Sequence, residues 1–212
     1  LTTTEPNIST PASPPEQAIA GVSEPLQRLD TTPYYAYTFR EYARRFAWIL
    51  VAATLFKWSL PHAFRWRRWL LRRFGAQLAE NTYLRRNTRI FHPWFLRMEE
   101  WSNLAGGVIV YNLGPVHIGR HTVCSQDVYL CAGTHDYTRS DMPLMKPAIR
   151  VGNGVWVATQ AFIGPGVTIG DNTVIGARAV VMKDVPAGVV AAGNPVRVIK
   201  PRVMQPTPAP RV

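Results

Sequence analysis

Cysteine is scarce in this chain of 212 residues: Cys124 and Cys131 are the only two. Two thiols build no disulfide framework, and their spacing is not that of a metal-binding pair. Both are expected as reduced cysteines of a cytosolic protein. Long apolar runs are missing too. The longest uncharged one, Phe46–Phe56, has eleven residues, well short of the roughly 20 that a membrane-spanning helix needs. Residues 1–33 hold no apolar stretch of signal-peptide type. They are rich in Thr, Ser and Pro and read as a disordered leader. Acidic residues are also few, 13 against 24 Lys and Arg.

That imbalance is local. Between Arg40 and Arg97 stand thirteen basic residues and two acids, Glu41 and Glu80, while the rest of the chain balances at eleven of each. The net charge of +11 therefore belongs to one segment, and a partner for positive charge is to be sought there.

What the chain has in abundance is a rhythm of six. Val151, Val157, Ile163, Ile169, Ile175 and Val181 form an aliphatic column. A small residue follows each of the first five (Gly152, Ala158, Gly164, Gly170, Gly176), and four places on comes a small or β-branched one (Val155, Ala161, Val167, Thr173, Ala179). The register runs backward through Ile118, Cys124 and Leu130, then Met98, Leu104 and Val110, then Leu78, Leu84 and Ile90. Steps of eight residues, Ile90 to Met98 and Val110 to Ile118, join these triplets. Such a period suits neither an amphipathic helix nor a hairpin. It predicts short strands and sharp turns, three sides to a coil, stacked about 4.8 Å apart with the column inward. Fifteen column positions make about five coils of a triangular parallel β-helix, over residues 75–200. Glycine beside the column is expected to ease the corner.

These columns, with Ile163-Gly-Pro-Gly-Val-Thr-Ile-Gly170 and Ala192-Gly-Asn-Pro-Val-Arg197, resemble the hexapeptide-repeat acyltransferases. Within them, His-Pro-Trp at 92–94, Val-Tyr-Asn-Leu-Gly-Pro at 110–115 and the run from Ser125 to Tyr137 look like the colanic-acid-biosynthesis acetyltransferase group. The resemblance covers residues 74–200 and is most specific over 110–197. It implies a left-handed β-helix, a homotrimer with active sites between subunits, acetyl-CoA as co-substrate without a metal, and transfer to a sugar hydroxyl in surface-polysaccharide synthesis. Met98-Glu99 and Trp94 depart from the pattern on the early coils.

The rhythm breaks once at length, after Leu130, and resumes near Val151. Residues 136–148 should leave the wall as a loop, with His135 at its base as the last residue of a hexad. Acetyl transfer to an alcohol needs a proton acceptor, and an imidazole serves near neutral pH. The resemblance gives that role to His135. His62 and His92, each beside a proline, read as structural, and His117 and His121 as solvent-facing. A zinc site of His117, His121 and His135, as in some hexapeptide β-helices, lacks a further histidine near His135. Asp136 and Asp127 are the acids to weigh for orienting His135 or meeting the acceptor. Asn112 falls where related sugar acetyltransferases place an acceptor-binding asparagine, and a plain turn role fits it equally.

Resemblance to galactoside and maltose acetyltransferases extends to coenzyme A. Trp156 matches the indole along the pantetheine arm, Thr159 and Ala177 the positions at its amides, and Lys183, Arg197 and Lys200 the basic positions near the nucleotide phosphates. Rival readings are an amino-sugar or serine acetyltransferase, a metal-binding lyase and a non-catalytic scaffold.

Residues 34–74 read as helical, broken at Pro61. In Phe64–Phe74, Arg65, Arg68 and Arg72 share one helical face, with Trp66, Trp69, Leu70 and Phe74 broadly opposite. Peripheral docking on the inner face of the cytoplasmic membrane is the favoured reading for this segment; a cap on the open end of the β-helix is the plain one. Nucleic-acid binding has no motif behind it. Residues 201–212 are a Pro-rich tail.

Overall fold

The computed structural model describes residue 27 and residues 37–205. Apart from Gln27, the leader over 1–33 lies outside the described residues, as does the tail beyond 205. From Gln77 onward the chain winds as a parallel β-helix with three faces. On the first face Leu78, Met98, Ile118, Val151 and Ile169 pair in succession. The second carries Leu84, Leu104, Cys124, Val157, Ile175 and then Ala191. The third carries Ile90, Val110, Leu130, Ile163 and Val181. Every column position is thus an inward rung, and none is more than 8% exposed. Five full coils are followed by the start of a sixth, which the antiparallel pair Val189–Ala192 and Arg197–Pro201 closes. The ordered wall therefore runs just into the expected tail, where Arg202 donates to the Gly154 carbonyl at 2.8 Å.

The corners work differently from the expectation. The left-handed backbone falls three residues after the column, on Trp101, Gly107, His121, Asp127, Gly154, Gln160, Gly166, Asn172 and Arg178. Glycine directly after the column meets a different demand, the closeness of the next coil. A Cβ on Gly119 would lie 2.6 Å from the Gly152 carbonyl carbon, and one on Gly170 2.7 Å from the Ala187 Cα.

The early insertions share one corner, between the third and first faces. The first coil spends its extra residues on a 3-10 turn, Pro93–Phe95. The second spends them around Leu113–Pro115, and the third extrudes an antiparallel hairpin in which Thr134–His135 pairs with Leu144–Met145. They stack on one another. Gly114 N–H donates to the Ala132 carbonyl at 2.8 Å, and Leu113 lies directly under Gly133.

Two helices cover the open end. Helix α1, Phe39–Val51, starts with a capping box between Thr38 and Glu41 and runs on through a π-turn, Ala52–Phe56. Helix α2 is Phe64–Arg73. Their packing departs in part from the expected faces of α2: Leu70 is buried and Phe74 packs on the core, but Arg67 and Arg68 are buried too, for a reason that lies in the coil backbone. Column carbonyls point toward the first coil, where each accepts an N–H from the coil before it: Ala79 N–H donates to Met98 O at 3.0 Å, and Phe91 N–H to Val110 O at 3.2 Å. The first coil has no predecessor, so its carbonyls would be left unmet.

Side chains from the helices meet them. Arg72 donates to Leu78 O at 2.6 Å, Arg68 to Thr82 O at 2.7 Å, Arg67 to Leu84 O at 2.7 Å and Trp48 to Ile90 O at 2.7 Å. Arginine is a donor-only side chain with five N–H groups, which suits a row of acceptors. Arg67 is fully buried and also holds Ser59 Oγ and the Leu60 and Pro61 carbonyls. Arg68 and Arg72 therefore face the coil, while Trp66 and Trp69 stack on each other outside, 5.1 Å apart. The capping role is what this packing displays.

Candidate functional site

His135 stands on the hairpin's first strand, opposite Leu144. It is therefore held by a ribbon that leaves the wall, and not by a hexad of the coil as expected. The hairpin tip is tied rather than loose. Asp136 N–H donates to Pro143 O at 3.0 Å, and Arg139 clamps Asp141 through both carboxylate oxygens. Cβ positions at Gly114 and Gly133 would collide with the hairpin's return limb and with Leu113 respectively, so ribbon and wall are in close contact.

Among the described residues no acid orients the imidazole. His135 Nδ1 lies 2.6 Å from the Met142 carbonyl oxygen. A carbonyl can only accept, so Nδ1 carries the proton and, in the neutral ring, Nε2 keeps its lone pair. Asp136 is turned to its own loop: its Oδ1 accepts from Thr138 Oγ1 at 2.6 Å and from Thr138 N–H at 3.1 Å. Those bonds hold its carboxyl below the usual range. Asp127 sits at a left-handed corner between the second and third faces, away from the corner that bears the hairpin. Neither orients His135 of the same chain.

Asn112 needs a similar correction. It is fully enclosed, its Nδ2 donating to His92 O at 2.6 Å and its Oδ1 accepting His92 N–H at 2.9 Å. Both amide atoms are spent on joining the insertions of the first two coils, directly beneath the hairpin's foundation. His92 is structural as expected, buried with Nδ1 2.9 Å from Asn112 O. Burial pushes its pKa down. His117 is not simply solvent-facing, since its Nε2 lies 3.0 Å from Glu99 Oε1. His62 and His121 are exposed. Among the described residues no three His, Cys, Asp or Glu side chains converge on a metal position. Cys124 is an inward rung whose thiol burial pushes up to about 12, and burial raises Cys131 as well. Neither is poised as a nucleophile.

The coenzyme positions form two groups. Trp156 projects from the second face, half exposed, with its indole N–H on Ser125 Oγ at 3.0 Å. Thr159 and Ala177 stack at the corner between second and third faces, where Arg178 N–H donates to Thr159 O at 2.9 Å. Thr159 Oγ1 donates to Gln126 O at 2.8 Å. Arg197 and Lys200 lie on the closing strand against the second face, paired with Ala192 and Val190. Lys183 is on the far side of the third face, at the corner that also bears His135. In one chain the imidazole and the Trp156–Thr159–Ala177 group thus occupy opposite edges of the third face. The functional group that residue patterns missed is the Met142 carbonyl. A main-chain oxygen has no signature in the side-chain pattern.

Comparison with known proteins fits this geometry. The family described as bacterial transferase hexapeptide (six repeats) matches residues 148–183. A curated relative, the putative colanic acid biosynthesis acetyltransferase WcaF of Escherichia coli K12, is 44% identical over 156 residues, spanning 74% of this chain and 86% of that protein. Among solved structures, a maltose O-acetyltransferase from Clostridium difficile 630 superimposes with a TM-score of 0.71 at 28% identity, covering 84% of this chain and 96% of the other. A galactoside acetyltransferase in complex with coenzyme A gives 0.59 at 28% identity, over 82% and 88%.

Proposed function

Since the chain belongs to the hexapeptide-repeat acetyltransferases, enzymes that draw their acetyl group from acetyl-CoA, we propose that it acetylates a sugar hydroxyl during exopolysaccharide assembly. His135 is the general base. The observation that carries this reading is the 2.6 Å contact of its Nδ1 with the Met142 carbonyl, because it leaves Nε2 as the basic nitrogen on a rigid ribbon.

Nε2 takes the proton of the acceptor hydroxyl as the oxygen forms its bond to the thioester carbonyl carbon. The tetrahedral oxyanion is met by a backbone N–H. As the C–S bond breaks, the imidazolium returns its proton to the departing thiolate, and both products leave neutral at the reacting atoms. Purified His135→Ala should lose roughly 10²–10⁴-fold in acetyl transfer to saccharide acceptors. A variant that kept near-wild-type turnover would sink the mechanism.

The separation of His135 from Trp156 across the third face favours a site shared by neighbouring chains of a homotrimer. Trp156 lines the pantetheine arm there, Thr159 and Ala177 contact its amides, and Lys183, Arg197 and Lys200 face the phosphates. Asp127, on the edge opposite the hairpin, would then meet a neighbour's acceptor site. Co-assembly of His135→Ala with Trp156→Ala chains should restore activity, because some sites then hold both native residues. Absence of any restoration would place base and coenzyme on a single chain. Acetyl-CoA is a cytoplasmic metabolite, which supports placing the proposed reaction in the cytoplasm, on the inner side of the cytoplasmic membrane.

A further inference from the structure

The helical end carries an unusual surface. Of the 20 large apolar side chains that stand exposed among the described residues, 10 fall within residues 39–69: Phe39, Tyr42, Phe46, Ile49, Leu50, Leu55, Trp58, Leu60, Trp66 and Trp69. The other 10 are spread from Phe91 to Met204. Leu55, Trp58, Leu60 and Trp66 line one groove and Trp66 stacks on Trp69, an exposed apolar patch of the kind that marks an interaction site. Between the π-turn and the first coil lies a cavity of about 590 Å³, floored by Trp48, Ile49, Ala52, Phe56 and Phe91. Arg45, Lys57, Arg86 and Arg89 stand around it.

Burial of Arg67 and Arg68, with Arg72 turned to the Leu78 carbonyl and Glu80, leaves Arg65, Arg73 and Lys57 as exposed cations on the same helical end as the stacked Trp66–Trp69 pair. The two acids of the segment are engaged, Glu41 by Thr38 and Glu80 by Arg72. The face is therefore indole and aliphatic in its middle and cationic at its rim. No helix among the described residues can span a bilayer.

We propose that this face docks on an anionic phospholipid bilayer, with indoles at headgroup depth, rim cations on lipid phosphates, and an acyl chain entering the Trp48–Phe56–Phe91 cavity. Charge complementarity selects this occupant over a second copy: a two-fold contact would set the same cationic rim against itself. The docked end lies beside the site. Tyr37 is sandwiched between the Arg45 guanidinium at 4.0 Å and Lys146 Nζ at 4.4 Å, and Lys146 belongs to the return limb of the His135 hairpin. The bilayer would thus sit below the acceptor loop.

The experiment is co-sedimentation of the full chain with phosphatidylcholine vesicles, with and without phosphatidylglycerol. Partition onto the anionic vesicles should be at least tenfold stronger and fall steeply with salt, at about a factor of five per engaged cation. Trp58→Ala/Trp66→Ala/Trp69→Ala should lower it roughly tenfold or more, with coenzyme A binding retained as proof of folding. Trp101→Ala, on the coil, should leave it unchanged. Should the triple variant fail to fold, Lys57→Gln/Arg65→Gln/Arg73→Gln reads the electrostatic half on exposed positions and should abolish the preference for anionic vesicles. Equal partition onto both vesicle types, or full partition by a folded triple variant, overturns the proposal. A triple variant that instead drops in oligomeric mass by light scattering would assign the face to a second copy and overturn it as well. None of these readouts uses acetyl transfer, so they stand apart from the catalytic reading.

Discussion

The coil stack and the helical end solve the same burial problem in opposite ways. In the coils the aliphatic residues point in and the charges point out, and one column per face is enough to hold the register. At the helical end Arg67 and Arg68 are buried, Arg72 reaches back to a coil carbonyl, and two tryptophans point out. The difference teaches what decides an inside. In the coils it is hydrophobic area; at the open end it is the row of main-chain oxygens on Leu78, Thr82, Leu84 and Ile90, which only donors can satisfy.

The comparison breaks most visibly at Arg67. Arg67→Met should destabilise the fold by about 3–5 kcal/mol, because it strips the buried Leu84 carbonyl, the part-buried Leu60 and Pro61 carbonyls and Ser59 Oγ of their donor. Exposed Arg65→Met should cost no more than about 0.5 kcal/mol. Thermal unfolding of the pair measures the contrast, and equal melting temperatures would erase it. In the coils the corresponding test is Leu104→Ala, a fully buried rung. It should cost about 3 kcal/mol through lost contact and the cavity left behind.

The smallest expected effect joins the two regions, at His92. Its folded pKa is lowered, chiefly by burial, from the ordinary 6.5. Above that value the ring is neutral folded or unfolded, and it costs nothing. Below about pH 6.5 the unfolded chain takes up a proton that the folded site resists, so stability falls as pH falls toward the lowered folded value. His92→Gln should flatten that slope in melts taken from pH 7.5 down to about 5.

Most of the fold was legible because a β-helix repeats its inside. Each of the fifteen column residues chosen by spacing is a paired, buried rung. The interruption was legible too, as a gap in the same columns. Other features depend on backbone atoms that no pattern of side chains records. A helical wheel puts Arg68 and Arg72 on a charged face, but it cannot see that the neighbouring surface is a row of carbonyls. The partner of His135 is likewise a main-chain oxygen, supplied only once the hairpin closes. Asn112 looked like an acceptor contact or a turn residue, and only its depth under the hairpin distinguishes a brace from a ligand. Glycine after the column was expected for its freedom, whereas the need the structure displays is room for the next coil.

The guanidinium plug also limits length. A bare coil end is a ready template on which another coil, from the same chain or a different one, can add by main-chain pairing. Arg67, Arg68 and Arg72 are seated on one end, and at the other the antiparallel Arg197–Pro201 strand pairs with the last strand of the second face, so neither end presents that face as a bare parallel template. Three of the thirteen basic side chains in this segment thus help keep a periodic structure finite, an enzyme rather than the seed of a filament.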